Sequence, residues 1–149
     1  MPFINFFCYS IESRFDINDI YYLNQRVDIF DISLEENVAL NSKCDLAKIK
    51  QSLNLSGFSD SEIDTLRERN LGEQGANISG GQAQRIGIAR MIYHDAKVII
   101  LDEPTAGLDK VAVQTFIHSI KEAAKNRTCI IITHDSRLKA ISDNTILLE

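Results

Sequence analysis

The 149-residue sequence predicts an α/β fold, a partial parallel sheet flanked by helices with a helical insertion between its strands. Three observations predict it. "KVIILD" (Lys97 to Asp102) and "TCIIIT" (Thr128 to Thr133) are continuous apolar runs rich in Ile and Val. Such runs suit central strands of a parallel sheet covered on both faces. Between them Val113, Phe116, Ile117, Ile120 and Ala124 recur at helical spacing and form one apolar face, giving a strand–helix–strand unit with a right-handed crossover. The third observation is a set of helix-start signals upstream, which makes Asp31 to Asn70 mostly helical.

Taken in order, Ile20 to Leu23 reads as a short strand and Asn24-Gln25-Arg26 as its polar exit. Ser33 with Glu36 is a capping box that opens one helix. A second helix is expected from Asp45 to about Leu53. Ser59 with Glu62 repeats the box and opens a third, running to about Arg69. Gly72 and Gly75 then break the chain. Ser79 with Gln82 is a third box, and its helix turns Ala83, Ile86 and Ala89 or the stem of Arg90 toward a core. Asn126-Arg127 turns the chain before the Thr128 strand, and "TILLE" at the end reads as another strand. The organisation expected is one domain over residues 1–149, with a helical part at about 31–90 and a sheet core from about 1–30 and 97–149.

The composition, 44% hydrophobic and 25% charged, is that of a globular chain. The net charge of −5 gives no electrostatic reason to expect nucleic acid as a partner. It leaves room for an anionic ligand, because clustered backbone N–H groups bind phosphate on acidic proteins. Cys8, Cys44 and Cys129 show no metal-ligand spacing and read as reduced thiols. "PFINFF" is too short to span a bilayer and lacks the flanks of a signal peptide.

Three places carry candidate chemistry. At "SGGQ", Ser79 caps a helix whose first residues, Gly80 and Gly81, have no side chains, so a ligand can approach the helical N–H groups closely. Alone, this pattern favours an ordinary capped helix after a flexible turn. At "VIILDEP", an apolar strand delivers Asp102 and Glu103 to its C-terminal end, where open α/β sheets place ligands. Pro104 keeps Glu103 out of helical geometry. Two carboxylates there can divide the work, one toward Mg²⁺ and one toward a water. At "IIITHD", His134 follows a buried strand and emerges at the same sheet edge as Glu103. Gln25 alone carries no signal, since a Gln after a short strand is ordinary.

Together these stretches resemble the ATP-binding cassette family, the motor domains of ABC transporters. "ISGGQ" (Ile78 to Gln82) resembles the family's signature sequence, with Ile where Leu is usual. "VIILDE" resembles Walker B plus the catalytic glutamate, "AGLD" (Ala106 to Asp109) the D-loop, His134 the switch histidine, and "YYLNQ" the Q-loop. "LGEQGANISGGQAQRIGIAR" is similar to the exporter subgroup. The resemblance covers about Ile20 to Glu149 and implies a P-loop NTPase-like fold that uses ATP and Mg²⁺. It implies that Gln25 reaches Mg²⁺ and the attacking water, Asp102 holds Mg²⁺, Glu103 is the general base and His134 contacts the γ-phosphate. It further implies that Ser79, Gly80, Gly81 and Gln82 face the γ-phosphate of a nucleotide held by a second cassette, and that Asp109 organises that interface. The partners implied are this second cassette and a transmembrane domain, and the location implied is the cytoplasmic face of a membrane.

The sequence departs from the family in one large respect. It contains no GxxxxGK[ST] phosphate loop, and with no glycine before Gly57 none stands ahead of Gln25. The expectation is therefore the C-terminal part of a cassette, a fragment or a truncated product, inactive as an ATPase by itself. The gap is expected to leave apolar strand faces and unpaired edges around the strand carrying Asp102, with "PFINFFCYSI" as the candidate to fill it as a strand. A second reading makes the chain a non-catalytic module that lends its signature to a full cassette. A DNA-repair-type ABC ATPase would carry a long coiled coil between Q-loop and signature; the interval here is short and lacks sustained heptads.

Overall fold

A computed structural model describes residues 3–7, 19–40 and 42–147. It contains one five-stranded sheet. The strands are β1 (Phe3–Phe7), β2 (Ile20–Leu23), β3 (Val98–Asp102), β4 (Thr128–Thr133) and β5 (Asn144–Leu147), in the order β2-β3-β4-β1-β5. β2, β3 and β4 are mutually parallel. β1 runs antiparallel to both β4 and β5, with Phe3 opposite Thr133 and Phe7 opposite Cys129. The described part of the opening segment, Phe3–Phe7, is thus a strand, but it does not lie beside the strand carrying Asp102. β3 is paired on both edges, and β1 occupies the far side of β4. The open edge expected around β3 is absent for that reason.

The helices are α1 (Leu34–Ala39), α2 (Leu46–Leu55), α3 (Asp60–Arg67), α4 (Gly80–Tyr93), α5 (Lys110–Ala123) and α6 (Ser136–Lys139). The three capping boxes form as the sequence predicts: Ser33 with Glu36, Ser59 with Glu62, and Ser79 with Gln82. Asp45 caps α2 from outside rather than beginning it. α2 runs two residues past the expected end and α3 stops two residues short, where its last turn has been reached at Arg67.

Two apolar cores form, and α4 is their shared wall. Ile86, Ala89 and Tyr93 join Leu34, Val38, Ile49, Leu53, Ile63 and Leu66 of the helical part. Ile88 and Met91, on the opposite side of the helix, join Ile99, Leu101, Phe116, Ile120, Cys129 and Ile131 on the sheet. Each fully buried Leu or Ile contributes about 1.5–3 kcal/mol. The sheet residues that alternate with these, Ile100, Ile130 and Ile132, are only half-buried. The both-faces burial expected for β3 and β4 is therefore realised on one face, the one that receives α4, α5 and Leu138 of α6.

α4 is fixed in place by two contacts the sequence did not announce. A Cβ on Gly87 would lie 2.5 Å from Leu23 Cδ1 and 3.1 Å from Val27, so the helix meets the end of β2 where it has no side chain. Arg90 is buried, not merely packed by its stem. Its Nε donates to the Asn37 carbonyl at 2.6 Å, and one terminal nitrogen donates to the Asp28 carbonyl at 2.7 Å. Burial pushes its pKa below the ordinary arginine value. These bonds hold the segment after β2, which contains Gln25, against α4.

Candidate functional site

The C-terminal edge of the parallel strands carries Asp102, Glu103 and His134. β3 ends at Asp102, and Glu103 follows with φ of 43°, a left-handed conformation that costs a non-glycine residue about 1–2 kcal/mol. Its N–H donates to the Ile132 carbonyl at 2.8 Å, which fixes the turn to β4. The side chain is thereby aimed at the end of β4. Glu103 Oε2 accepts from the Thr133 hydroxyl at 3.3 Å and from the His134 N–H at 3.4 Å. Glu103 Oε1 lies 3.4 Å from His134 Nε2. Glu103 is half-buried and His134 exposed, so the pair opens to solvent on the histidine side.

The supports of this pair come from residues the sequence reading passed over. Thr133 is fully buried, and its hydroxyl accepts the Asp135 N–H at 3.0 Å while its proton goes to Glu103. Asp135 accepts from Thr105 at 3.1 Å, tying the turn after β3 to the turn after β4. The Arg137 guanidinium beside Asp135 holds its carboxyl below the usual carboxylate range. That Glu103 and His134 share a sheet edge was visible in the sequence; the bonds through Thr133, Thr105 and Asp135 that hold the two turns together were not.

Asp102 is half-buried, and its Oδ2 accepts the Tyr22 hydroxyl at 2.9 Å. The same bond raises the pKa of Tyr22 above the ordinary tyrosine value. Among the described residues, Asp102 Oδ1 carries no hydrogen bond. The described residues hold no group of three or more His, Cys, Asp or Glu able to bind a metal by themselves. A single available carboxylate oxygen suits Mg²⁺, which keeps most of its shell as water and phosphate oxygen.

The helix start at Ser79 forms a second locus. Ser79 Oγ accepts the Gln82 N–H at 3.1 Å, and Gln82 Oε1 accepts the Ser79 N–H at 2.9 Å. A Cβ on Gly80 would meet nothing within 4 Å, and one on Gly81 only Ala112 at 3.9 Å and Leu108 and Ser79 Oγ at 4.0 Å. Packing therefore does not explain glycine at either place, and both leave the helix start open to close approach. Ser79, Gly80, Gly81 and Asp109 line one cavity of about 500 Å³. Asp109 caps α5 there, accepting from the Val111 and Ala112 N–H groups at 2.9 and 2.8 Å.

Gln25 is exposed after β2. It lines a cavity of about 310 Å³ with Ser79, Gly80 and Gly107. No hydrogen bond joins it to Asp102 among the described residues. The structure thus brings Glu103 to His134, and Gln25 to the Ser79 helix start. Buried Gln84 connects the two loci, its Nε2 donating to the Pro104 carbonyl at 2.8 Å. Cys44 and Cys129 are free, and burial pushes the Cys129 thiol up to about 12; Cys8 lies outside the described residues.

A sequence model of the ABC transporter family matches residues 9–106. The ATP-dependent lipid A-core flippase of Ralstonia nicotianae is 33% identical over 139 residues, covering 87% of this chain and 23% of that protein. ATP-binding cassette sub-family B member 5 of Homo sapiens is 34% identical over 137 residues, covering 88% of this chain and 11% of that protein. Among solved structures, that of a bacterial Atm1-family ABC exporter with ATP bound aligns with a TM-score of 0.74 at 25% identity. The match covers 85% of this chain and 23% of that one. The chain spans about a quarter or less of the length of these relatives.

Proposed function

The chain belongs to the ABC transporter family, and we propose that it carries two parts of an ATP-hydrolysing exporter cassette, the hydrolytic sheet edge and the signature helix. The observation that carries this reading is the Glu103–His134 contact of 3.4 Å directly beside Asp102 at the C-terminal ends of β3 and β4. Glu103 is the general base, accepting a proton from water at Oε1, the oxygen turned toward His134. His134 holds that side of the site and faces the γ-phosphate. Asp102 Oδ1 would hold Mg²⁺, with Gln25 moving from the cavity it shares with Ser79 to join it, and the ion when bound would neutralise charge on the transferring phosphoryl group. Ser79, Gly80, Gly81 and Gln82 present the start of α4 to ATP on a second cassette, with Asp109 at the same interface.

Phosphoryl transfer is driven by positioning and electrostatics, and these 149 residues contain no GxxxxGK[ST] loop to grip β- and γ-phosphates. The grip is supplied from outside them, and the isolated chain binds ATP poorly and does not turn it over. Among the described residues no helix is long and apolar enough to cross a membrane. Attachment to the cytoplasmic face runs through a transmembrane partner or through a domain outside these residues.

ATP binding and hydrolysis by the purified chain, alone and mixed with full ABC cassettes, test this reading. The chain alone is expected to be silent. Micromolar ATP binding or turnover by the chain alone would overturn the dependence on an outside phosphate loop. The open approach at Gly80 favours a second reading, a module that only lends its signature. That reading gains if Glu103→Gln leaves turnover in the mixture unchanged while Ser79→Ala abolishes it.

A further inference from the structure

The tandem tyrosines of β2 point to opposite faces of the sheet, as successive strand residues must. Tyr21 is turned into the fold, and its hydroxyl donates to the Gly87 carbonyl of α4 at 3.1 Å. Tyr22 is turned to the opposite face and is 53% exposed, so packing does not account for its place. Its hydroxyl reaches Asp102. In the strand register Tyr22 pairs with Ile100, which puts Asp102 one step further along the same face. The bond to Oδ2 is 2.9 Å.

We propose that Tyr22 is a positioning residue for the cation-binding carboxylate, its hydroxyl holding Asp102 Oδ2 so that Oδ1 is the oxygen presented to a divalent cation. This rests on Asp102 being the Mg²⁺ ligand. A carboxylate at a strand end turns about two soft torsions. A hydrogen bond to one oxygen removes most of that freedom and leaves a single direction for the other. Mg²⁺ demands near-octahedral geometry, so it is sensitive to that direction. The donor is itself on a rigid mount. Tyr21 pins β2 to α4 from the other side, and Leu23 sits in the gap left by Gly87. Partners that orient a ligating carboxylate are worth roughly 10–100-fold in metal affinity. The exposure of Tyr22 puts its share near the lower end.

Mn²⁺ alone, titrated into the full ¹⁵N-labelled chain, reads this directly through paramagnetic broadening of the Asp102 and Glu103 amides. Broadening of these two amides above that at other surface carboxylates is expected in the unmodified chain, falling to that background in Asp102→Asn. Tyr22→Phe is expected to need about tenfold more Mn²⁺ for half-effect, with its urea midpoint unchanged. If Asp102→Asn brings the broadening to background while Tyr22→Phe titrates like the unmodified chain, the positioning role is overturned and the ligand assignment stands. If broadening above background persists in Asp102→Asn, the ligand assignment fails and the proposal fails with it.

Discussion

Gly80 and Gly87 stand on the same face-forming helix and are glycine for different reasons. Gly87 is a packing necessity, with Leu23 and Val27 inside the space a Cβ would take. Gly87→Ala should destabilise the chain by about 1–3 kcal/mol, read from urea unfolding. Gly80 meets no such neighbour. Gly80→Ala should leave stability unchanged or raise it by up to about 1 kcal/mol, yet weaken ATP-dependent association with a full cassette. An unfolding penalty at Gly80 would mean that backbone strain, not ligand approach, keeps glycine there. The sequence made Gly80 and Gly81 conspicuous because they sit next to a cap. The roles of Gly87, of the Arg90 guanidinium and of the Tyr22 hydroxyl were not legible because their reasons lie across space. One needs the approach of α4 to β2, one needs Asn37 and Asp28, and one needs the register of β2 on β3.

At the level of elements, local chemistry was legible and pairing was not. The boxes at Ser33, Ser59 and Ser79 formed because every atom they use lies within four residues. How α3 docks on α4 depends on Arg85, whose guanidinium donates to Glu62 at 2.8 and 3.3 Å and to the Gly57 carbonyl at 2.8 Å. It also stacks over the Phe58 ring. Arg85 holds the Glu62 carboxyl at about 2, below its ordinary value. A carboxylate whose pKa is lowered by folding stabilises the fold above its unfolded pKa, and that contribution disappears as pH falls. The side chain of Glu62 is 37% exposed, so solvent screens the pair and it is worth about 1 kcal/mol or less. Glu62→Gln should therefore unfold at lower urea concentration than the unmodified chain at pH 7. The gap should close as pH falls from about 4.5 to about 2. A gap that persists at pH 2 would assign the stabilisation to shape rather than charge.

For the whole molecule, the parallel β3-β4 pair and the helix between them were legible from two apolar runs and one helical face, whereas the place of β2 beside β3 was not. The sheet's completion was not, because no local signal says where a strand from the start of the chain will pair. It paired beyond β4, in the opposite direction to its neighbour. The expected apolar surface remains, though displaced from where the gap was expected. Ile20, Tyr22 and Ile146 are exposed on the sheet face opposite α4 and α5. Such a face favours association. The purified chain should self-associate with rising concentration in sedimentation velocity, and Ile146→Lys should reduce it. Concentration-independent sedimentation of the unmodified chain would show that this face is not sticky enough to matter.

The position of β1 also sets an order of events in time. Phe3 pairs with Thr133 and Phe7 with Cys129, contacts that close almost the whole length of the chain. Pairings of such separation are slow, because a long loop must be ordered before any contact rewards it. β2, β3, α4 and α5 can assemble without them. The strand made before every other described strand is then the last to be seated, and β4 keeps an open edge until it arrives.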